Sequence, residues 1–532
     1  MMRGRANRNP DRRLESWRAV RVPAAIVTLA TLAGIWLFEA TPHGLGIASD
    51  SVAYLGGAAN ILAGQGFSRL SGGGTVEPLT HFPPFYSLVL AGLGRLGVDL
   101  AGGTRGLNAA LMGLLVCGVA LAGSRIGMSP IAILVAGAFA AASPILFELS
   151  GWALSDPLFL VLGLTGLLVL ERGLKSPSPR VLLLSGALVG LAYLTRYVGV
   201  SLVLTGMIRI LLLPAIPSRE KRLALMLFLA GSLTPVAIWF GRNWLLTGTF
   251  TNRTFAWHPL TTTKWKSPLQ LLWSWILPLK FTWLALEITL AAVGLGAVVW
   301  TWRIRRRLGA SGIQVVEFAR RGGLAAGLAV FAVVYTLGVL ASLLWVDAAI
   351  PVDQRISAPT YLAVLILAVS SADRLWRRAG ERGRAGLIAA AIIILAGYAG
   401  RTWGLTQEYR RDGQGFASEG WRRSGAIAAV RRLPASLLLY TNNPEAVYFF
   451  TGRGAYGLPQ PFDSVTGRPM AGFTGRLEAV GATLTSSGGA VIVFQSPGSE
   501  EEIRTLAPLL DGLLLYYEGL DGTVRVSPGD HG

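Results

Sequence analysis

The chain has 532 residues, of which 52% are hydrophobic and only 14% are charged, and its mean hydropathy is +0.51. Water-soluble domains rarely have this balance, so the composition indicates a membrane protein with several spans. The net charge of +19 lies in short basic clusters between apolar stretches, which is typical of cytoplasmic loops and not of a nucleic-acid-binding surface. Cys117 is the single cysteine, which excludes an intrachain disulfide and a thiolate metal site.

Residues 1–21 form an arginine-rich segment ahead of the first apolar stretch, which covers residues 22–40. This stretch is long enough to cross a bilayer and is not followed by a small-x-small cleavage pattern. We therefore expect a retained signal anchor, with residues 1–21 as a basic cytoplasmic N-terminus.

Apolar runs of spanning length predict about eleven transmembrane helices between residues 22 and 403. They lie near residues 22–40, 104–123, 130–148, 154–170, 181–195, 198–213, 223–241, 281–302, 323–346, 356–371 and 385–403. A cytoplasmic N-terminus then places every later basic cluster in the cytoplasm as well, so the topology is self-consistent. The opposite, extracytoplasmic face receives a large first loop over 41–103, the loop over 242–280 and everything after residue 403.

The first extracytoplasmic loop carries an acid, Asp50, just past the first span. Charge close to hydrocarbon is costly and tends to mark function, which makes Asp50 a candidate catalytic residue. Apolar residues after it recur at helical spacing and predict an amphipathic helix over 51–63 that lies on the membrane surface. Ser49 or Asp50 would cap this helix, so capping is the alternative explanation for the acid. His81 adds a titratable base to the same loop.

Further charged residues are predicted at span ends on the face of Asp50. Asp156, in Ser155-Asp156-Pro157, fits either a helix N-cap with proline in the first turn or an acid that supports catalysis. Arg196 and Arg355 have the planar fork that suits phosphate oxygens. The alternative is that these arginines pair with Asp156 and Asp353, because charges within membranes usually pair.

These residue types suit the transfer of a group from a lipid phosphate. A carboxylate such as Asp50 can remove a proton from an acceptor hydroxyl or amine, while cations neutralise the departing phosphate. Arg196, Arg355 and His81 are the candidates for contacting that phosphate.

The loop over 242–280 is rich in tryptophan, which commonly anchors a protein at the membrane interface. Lys264 and Lys266 lie among these aromatic residues and are candidates for contacting a lipid phosphate. Tyr54 and Arg242 complete this candidate lipid-contacting set.

Residues 404–532 have the composition of a soluble domain, which the predicted topology places on the extracytoplasmic face. Strands are predicted near 437–440, 490–494, 513–517 and 523–526, and helices near 419–432, 444–450, 475–484 and 500–510. This order indicates a small α/β domain. Residues 452–457 match a dinucleotide glycine pattern, but they do not lead from a strand into a helix, so we interpret them as a turn.

Several short motifs follow one another along the extracytoplasmic side. They are Asp50 after the first span, Tyr54-Leu55, Gly64-x-Gly66, His81-x-Pro83-Pro84, Ser155-Asp156-Pro157, Thr195-Arg196-Tyr197, Arg242-Asn243 and Asp353-x-Arg355 with Pro359. In this order and on this face they resemble the bacterial polytopic GT-C glycosyltransferases, in particular the protein mannosyltransferase, aminoarabinose transferase and Rgt-like group. The resemblance covers roughly residues 1–400.

The resemblance implies an inverting glycosyltransferase of the inner or plasma membrane that takes a sugar from a polyprenyl-phosphate donor, with Asp50 as general base. A single displacement needs one base and a stabilised leaving phosphate, without a covalent carboxylate intermediate. The acceptor would be an extracytoplasmic lipid, glycan or protein. Ser51 stands where many relatives have a second acid, and His81 stands where some have lysine. These departures leave the use of a divalent metal and the identity of the donor open, and no other cofactor is assigned.

A flippase or transporter for lipid-linked sugars is the alternative function. Transporters place charges near the middle of the membrane and often have two repeated halves. Here the charges crowd one face and no internal repeat is evident. We therefore predict a polytopic α-helical, GT-C-like membrane protein with a small C-terminal α/β domain, whose partners are the donor, membrane lipids and an acceptor.

Overall fold

The computed structural model describes residues 10–176, 178–213, 217–251, 256–257, 271–272, 274–275, 318, 322–347, 350–463, 468–495 and 500–528. The predicted span over 281–302, Lys264 and Lys266 lie outside these residues. Up to residue 412 the described chain is almost entirely helical. Its helices are α1 (Pro10–Ala40), α2 (Ser49–Leu62), α3 (Phe85–Arg95), α4 (Leu100–Ile126), α5 (Pro130–Ala141), α6 (Pro144–Ser150), α7 (Asp156–Lys175), α8 (Pro179–Tyr193), α9 (Val200–Leu212), α10 (Ser218–Thr247), α11 (Gly323–Trp345), α12 (Gln354–Arg378) and α13 (Glu381–Asp412).

The predicted spans agree with these helices. Seven of the described helices are long and apolar enough to cross a membrane, and counting the bent pair of α5 and α6 as one span gives eight. The shorter apolar helices α8 and α9 coincide with two further predicted spans. Every predicted span inside the described residues therefore falls on an apolar helix, and the protein is a multi-pass membrane protein.

The span predicted over 130–148 is bent, because Ser143 and Pro144 interrupt it. Pro144 cannot donate a backbone hydrogen bond to the preceding turn, and Ser143 begins the new helix by accepting from the Leu146 amide at 3.3 Å. α5 and α6 consequently meet at 48°. Ser143 Oγ also lies 2.9 Å from the hydroxyl of Tyr361, so the bend is fixed against α12.

Small residues let α8 and α10 approach closely. A Cβ atom at Gly190 would lie 2.6 Å from the carbonyl oxygen of Ser232, and Gly186 faces the backbone of Phe228 in the same way. Close backbone approach through glycine is a common way to pack helices in membranes. This packing supports the end of α8, which leads directly into Arg196.

The first loop contains α2, a hairpin of β1 (Ser68–Leu70) and β2 (Val76–Pro78), and α3. The helix predicted over 51–63 is confirmed, but its predicted cap is wrong. Ala48 occupies the capping position, its amide donates to Ser51 Oγ at 3.0 Å, and Asp50 lies in the first turn. Val52 and Ala58 of this helix pack into buried protein cores.

The C-terminal part forms the predicted α/β arrangement. Its elements are α14 (Glu419–Arg422), α15 (Gly425–Arg432), β3 (Leu439–Thr441), α16 (Pro444–Thr451), β4 (Tyr456–Gly457), α17 (Phe473–Ser487), β5 (Ala490–Phe494), α18 (Glu500–Thr505), α19 (Ala507–Leu510), β6 (Leu514–Gly519) and β7 (Gly522–Val526). The sheet has the order β4-β3-β5-β7-β6, with β3 parallel to β4 and β5, and with β7 antiparallel to β5 and β6.

Two details of this region differ from the prediction. The helix predicted over 419–432 is broken, because Ser424 caps α15 by accepting from the Ile427 amide at 3.1 Å. The turn predicted over 452–457 ends in the two-residue edge strand β4, which pairs with β3. A two-residue strand leaves no alternation that a sequence pattern could reveal.

The C-terminal region does not begin at a clean boundary after residue 403. Helix α13 continues to Asp412, and the hydrophobic core beneath the sheet includes Leu45, Ile47 and Val52 of the first loop. The Phe416 amide donates to the Ile47 carbonyl at 2.9 Å. The first loop and the sheet region are therefore packed together around one core.

Candidate active site

Four charged side chains from distant parts of the sequence meet at one end of the helical bundle. Asp50 lies in the first turn of α2, Asp156 is the first residue of α7, Arg196 follows α8, and Arg355 is the second residue of α12. Each position is at or just beyond a helix end, so none of these four charges lies in the middle of a span. The prediction that these residues share one face of the membrane domain agrees with this arrangement.

The four side chains form an alternating chain of acids and bases. Arg355 Nη2 lies 2.7 Å from Asp50 Oδ2, and its Nε lies 3.1 Å from Asp156 Oδ2. Arg196 pairs with the other carboxylate oxygen of Asp156. Two carboxylates and two guanidinium groups thus balance one another, which lowers the cost of placing charge beside apolar helices.

The two acids differ in access to solvent. The side chain of Asp156 is 4% exposed and is held between two arginines, whereas that of Asp50 is 33% exposed. Ser155 occupies the N-cap position of α7, and the Asp156 carboxylate that follows it binds arginine, so interpreting Asp156 as the cap is wrong. Asp156 is therefore placed to fix the guanidinium groups, and Asp50 is the acid that an incoming molecule can reach.

A cavity of about 580 Å³ opens onto this ion-pair chain. Its polar wall includes Asp50, Tyr54, His81, Arg196, Tyr335, Asp347 and Arg355. The cavity therefore brings together both predicted phosphate-binding arginines, the predicted histidine and the candidate base.

The other wall of the cavity is apolar. It is lined by Val200 and Leu204 of α9 and by Val334, Gly338 and Val339 of α11. Val200 and Leu204 are 40% and 44% exposed, so this wall continues onto the outer apolar surface of the bundle. A molecule with a charged head and a long hydrocarbon tail fits such a cavity, because each part meets surface of its own kind.

Two buried tyrosines support the polar wall. The hydroxyl of Tyr54 accepts a hydrogen bond from Ser155 Oγ at 3.0 Å, and burial together with the nearby charge of Asp50 raises the pKa of Tyr54. Tyr54 is therefore a neutral hydrogen-bonding group at physiological pH. The hydroxyl of Tyr335 donates to the carbonyl of Ile356 at 2.8 Å and so fixes the first turn of α12.

Arg242, predicted to contact a lipid phosphate, binds backbone of the first loop and is not part of the described lining of the cavity. Its Nη1 donates to the Leu79 carbonyl at 2.9 Å and its Nη2 donates to the Phe67 carbonyl at 2.8 Å. These bonds tie α10 to the hairpin of the first loop, away from the described lining of the cavity. Lys264 and Lys266 were predicted to act with Arg242 and lie outside the described residues.

Sequence reasoning missed two residues of the polar wall. Asp347 follows the end of an apolar run, which is the same signal that singled out Asp50. Tyr335 lies within a span, where an aromatic residue carries no distinguishing signal. Within the described part of the chain, no group of three or more His, Cys, Asp or Glu side chains is arranged to hold a metal ion.

The sequence matches one family model. Residues 81–239 match the family described as dolichyl-phosphate-mannose-protein mannosyltransferase, a segment that contains His81, Asp156 and Arg196. No curated protein sequence matches the chain.

Solved structures share its fold at low sequence identity. ArnT from Cupriavidus metallidurans bound to undecaprenyl phosphate aligns with a TM-score of 0.58 and 14% identity, over 95% of this chain and 99% of that one. A second structure is the oligosaccharyltransferase AglB from Archaeoglobus fulgidus in complex with an inhibitory peptide and a dolichol-phosphate. It aligns with a TM-score of 0.54 and 12% identity, over 95% of this chain and 74% of that one. A mutant of the mycobacterial arabinofuranosyltransferase AftD aligns with a TM-score of 0.55 and 14% identity, over 95% of this chain and 42% of that one.

These likenesses confirm the resemblance that the sequence motifs predicted. The chain has the GT-C fold, with a family-model match over the segment that runs from the first loop to α10. The structural alignments establish the fold alone, because the sequence identities are low. The chemistry depends on the residues of the cavity.

Proposed function

We propose that this protein is an inverting membrane glycosyltransferase that moves a sugar from a polyprenyl-phosphate donor to an extracytoplasmic acceptor. The observation that carries the proposal is the single cavity in which an accessible carboxylate, two guanidinium groups and an apolar wall meet. ArnT and AglB, which share the fold, have been solved with undecaprenyl phosphate and with a dolichol-phosphate. A lipid phosphate of that class suits this cavity.

The donor phosphate would bind at the arginine side of the cavity. Arg196 and Arg355 both line it, and His81 lies on the same wall. Guanidinium groups match phosphate oxygens in geometry and stabilise the negative charge that develops as the phosphate departs. The prenyl chain would then follow the apolar wall between α9 and α11 into the surrounding lipid.

Asp50 would act as the general base. Its carboxylate accepts the proton of the acceptor hydroxyl or amine while the acceptor atom attacks the anomeric carbon. The bond between that carbon and the phosphate oxygen breaks at the same time, and prenyl phosphate leaves with the bonding electrons. Attack on the face opposite the leaving group inverts the anomeric carbon, so the reaction requires no covalent sugar intermediate on an acid.

The bond between Asp50 and Arg355 links donor binding to base function. A phosphate that arrives at Arg355 competes with Asp50 for the same guanidinium group. Donor binding would therefore free the carboxylate for the acceptor. Asp156 would keep Arg355 in place during this exchange, because it holds the Nε group from the buried side.

Charge placement supports an extracytoplasmic cavity. Arg355 lies at the first turn of α12, whereas exposed Arg374, Arg377 and Arg378 lie at its other end. Basic residues concentrate at the cytoplasmic ends of spans, so the Asp50 end and the sheet region packed on it would face outward from the inner or plasma membrane. The acceptor is a lipid, a glycan or a protein on that side.

A transporter of lipid-linked sugars fits the described residues less well. The charged groups of the cavity all lie at or beyond helix ends, not halfway along the spans where alternating-access sites are built. A carrier also needs no base held beside a phosphate-binding cation. The two functions differ in whether the sugar-phosphate bond breaks.

The proposal is tested with purified protein in lipid nanodiscs and radiolabelled polyprenyl-phosphate sugars. We expect sugar to be transferred and free prenyl phosphate to be released in equal amounts. In sealed vesicles, movement of intact donor between leaflets without release of prenyl phosphate would favour the transporter. Absence of release with every donor sugar tested, across lipid, glycan and peptide acceptors, would refute the glycosyltransferase.

A further inference from the structure

The first turn of α12 has a second set of polar contacts, made by residues outside the described lining of the cavity. With its amide nitrogen toward Glu148, Gln354 donates to Glu148 Oε2 at 3.0 Å and accepts from Arg401 Nη2 at 2.6 Å. The opposite orientation would place oxygen against a carboxylate and nitrogen against a guanidinium group, so the two charged neighbours fix this amide. Gln354 immediately precedes Arg355.

These three side chains come from three different helices. Glu148 lies in α6, Gln354 begins α12, and Arg401 lies in α13, and the three helices contact one another. All three side chains are half-buried. A neutral amide between a carboxylate and a guanidinium group satisfies both charges without requiring them to touch.

We propose that Glu148, Gln354 and Arg401 form a positioning layer that holds the first turn of α12 and thereby sets the place of Arg355. The inference rests on the proposed function, in which Arg355 binds the donor phosphate and contacts the base. None of the three layer residues belongs to the described lining of the cavity, so they act through Arg355.

The density of anchors in this turn supports the inference. Asp353 accepts from the Ile356 amide at 2.9 Å, and the Ile356 carbonyl accepts from Tyr335 at 2.8 Å. A helix start needs only one capping side chain, which Asp353 supplies. The additional bonds made by Gln354 fix the turn laterally between α6 and α13. A shift of about 1 Å at a catalytic group can lower a rate about 100-fold, so lateral fixation at Arg355 has a large effect on chemistry.

The sequence offers a charge-neutral exchange that tests the layer. Gln354→Glu alone places two carboxylates side by side against one guanidinium group. In the double variant Glu148→Gln with Gln354→Glu, the new amide donates to the new carboxylate, which accepts from Arg401. The double variant therefore restores the hydrogen-bond chain with the same net charge as the natural protein.

We expect Gln354→Glu to lower kcat for sugar transfer about 100-fold, with a smaller change in the donor KM, and the double variant to recover most of this loss. Gln354→Met has similar length and no amide, and we expect it to lower kcat without recovery by Glu148→Gln. The matched control is Ser129→Ala. Ser129 Oγ donates to Asp373 at 2.6 Å and so anchors the opposite end of the same helix. We expect the control to keep its kcat.

Thermal unfolding of each purified variant separates positioning from folding. Natural kcat in both Gln354→Glu and Gln354→Met would overturn the positioning layer, as would a double variant no faster than Gln354→Glu. Equal loss in Ser129→Ala would also overturn it, because the effect would then belong to the whole helix. If the natural protein neither transfers sugar nor binds undecaprenyl phosphate, the proposed function fails and the layer fails with it. If the natural protein is active and the Gln354 variants keep its kcat, only the positioning layer fails.

Discussion

The two acids of the ion-pair chain should differ in their effect on stability when each is changed to asparagine. The Asp50 side chain is 33% exposed and that of its partner Arg355 is 28% exposed. Exposed or half-exposed pairs are worth about 0–1 kcal/mol, so Asp50→Asn should scarcely change the free energy of unfolding. Loss of a general base, however, costs about 100- to 10,000-fold in rate, or about 3–5 kcal/mol of activation free energy.

Asp156→Asn should act mainly on stability. The Asp156 side chain is 4% exposed and faces two guanidinium groups. Removing one partner of a buried pair costs about 3–5 kcal/mol, and we expect the lower end because Arg355 is partly exposed and keeps Asp50 as a partner. The rate should fall as well, since both phosphate-binding arginines lose their fixed partner.

The assay measures transfer kcat and thermal unfolding of each variant in the same detergent. Asp99→Asn is the matched control, because Asp99 caps α4 by accepting from the Ala101 amide at 2.9 Å and asparagine caps about as well. Transfer by Asp50→Asn within a fewfold of the natural rate would refute the assignment of Asp50 as base. An unchanged unfolding temperature in Asp156→Asn would refute the buried ion-pair argument.

Three further outcomes are expected. Arg196→Lys and Arg355→Lys keep the charge but lose the planar fork, so affinity for undecaprenyl phosphate in a binding titration should fall about tenfold or more. Unchanged binding in both variants would show that the two arginines only pair with the acids. Gly338→Leu adds a side chain on the apolar wall, where nothing lies within 4 Å of an added Cβ atom, so it should raise the KM for long-chain donors more than for short-chain analogues. Burial opposes ionisation of Asp521, but hydrogen bonds from Ser424 Oγ, the Ala426 amide and Tyr517 outweigh it and lower the pKa of Asp521. Because the folded pKa is lowered, this carboxylate stabilises the fold above the usual carboxyl pKa, and that stability is lost as pH falls through the lowered value. Asp521→Asn should therefore unfold at a lower temperature at neutral pH, with the difference shrinking in acid.

The spans and the outline of the site could be predicted from sequence because both depend on local signals. A membrane span requires an unbroken apolar run of fixed length, whichever neighbours it has. Asp50, Asp156, Arg196 and Arg355 stood out because each is a charge at the edge of such a run. The basic clusters predict which ends of the spans face the cytoplasm, and that topology puts these four residues on one face.

The contacts among these residues could not be predicted from sequence, because they join distant segments. Helical spacing made Asp50 equally suitable as a cap, and only the position of Arg355, 305 residues later, shows where its carboxylate is bound. Nothing in the local sequence distinguishes Gln354 from other polar residues, because its two partners, Glu148 and Arg401, are distant in the chain. The bend at Ser143 could not be predicted from the apolar run, because such a run has the same composition whether the helix is straight or broken.

The sheet region is joined to the segment that carries the candidate base. Ile47 accepts a backbone bond from Phe416 at 2.9 Å, and Val52 packs in the core beneath the sheet. Asp50 lies between these two anchors, so the segment that carries it is fixed on both sides by residues that follow the last span. Arg355 fixes the same carboxylate from the membrane domain. The first loop therefore binds the helical bundle through Asp50 and also shares a core with residues of the C-terminal region more than 350 positions later.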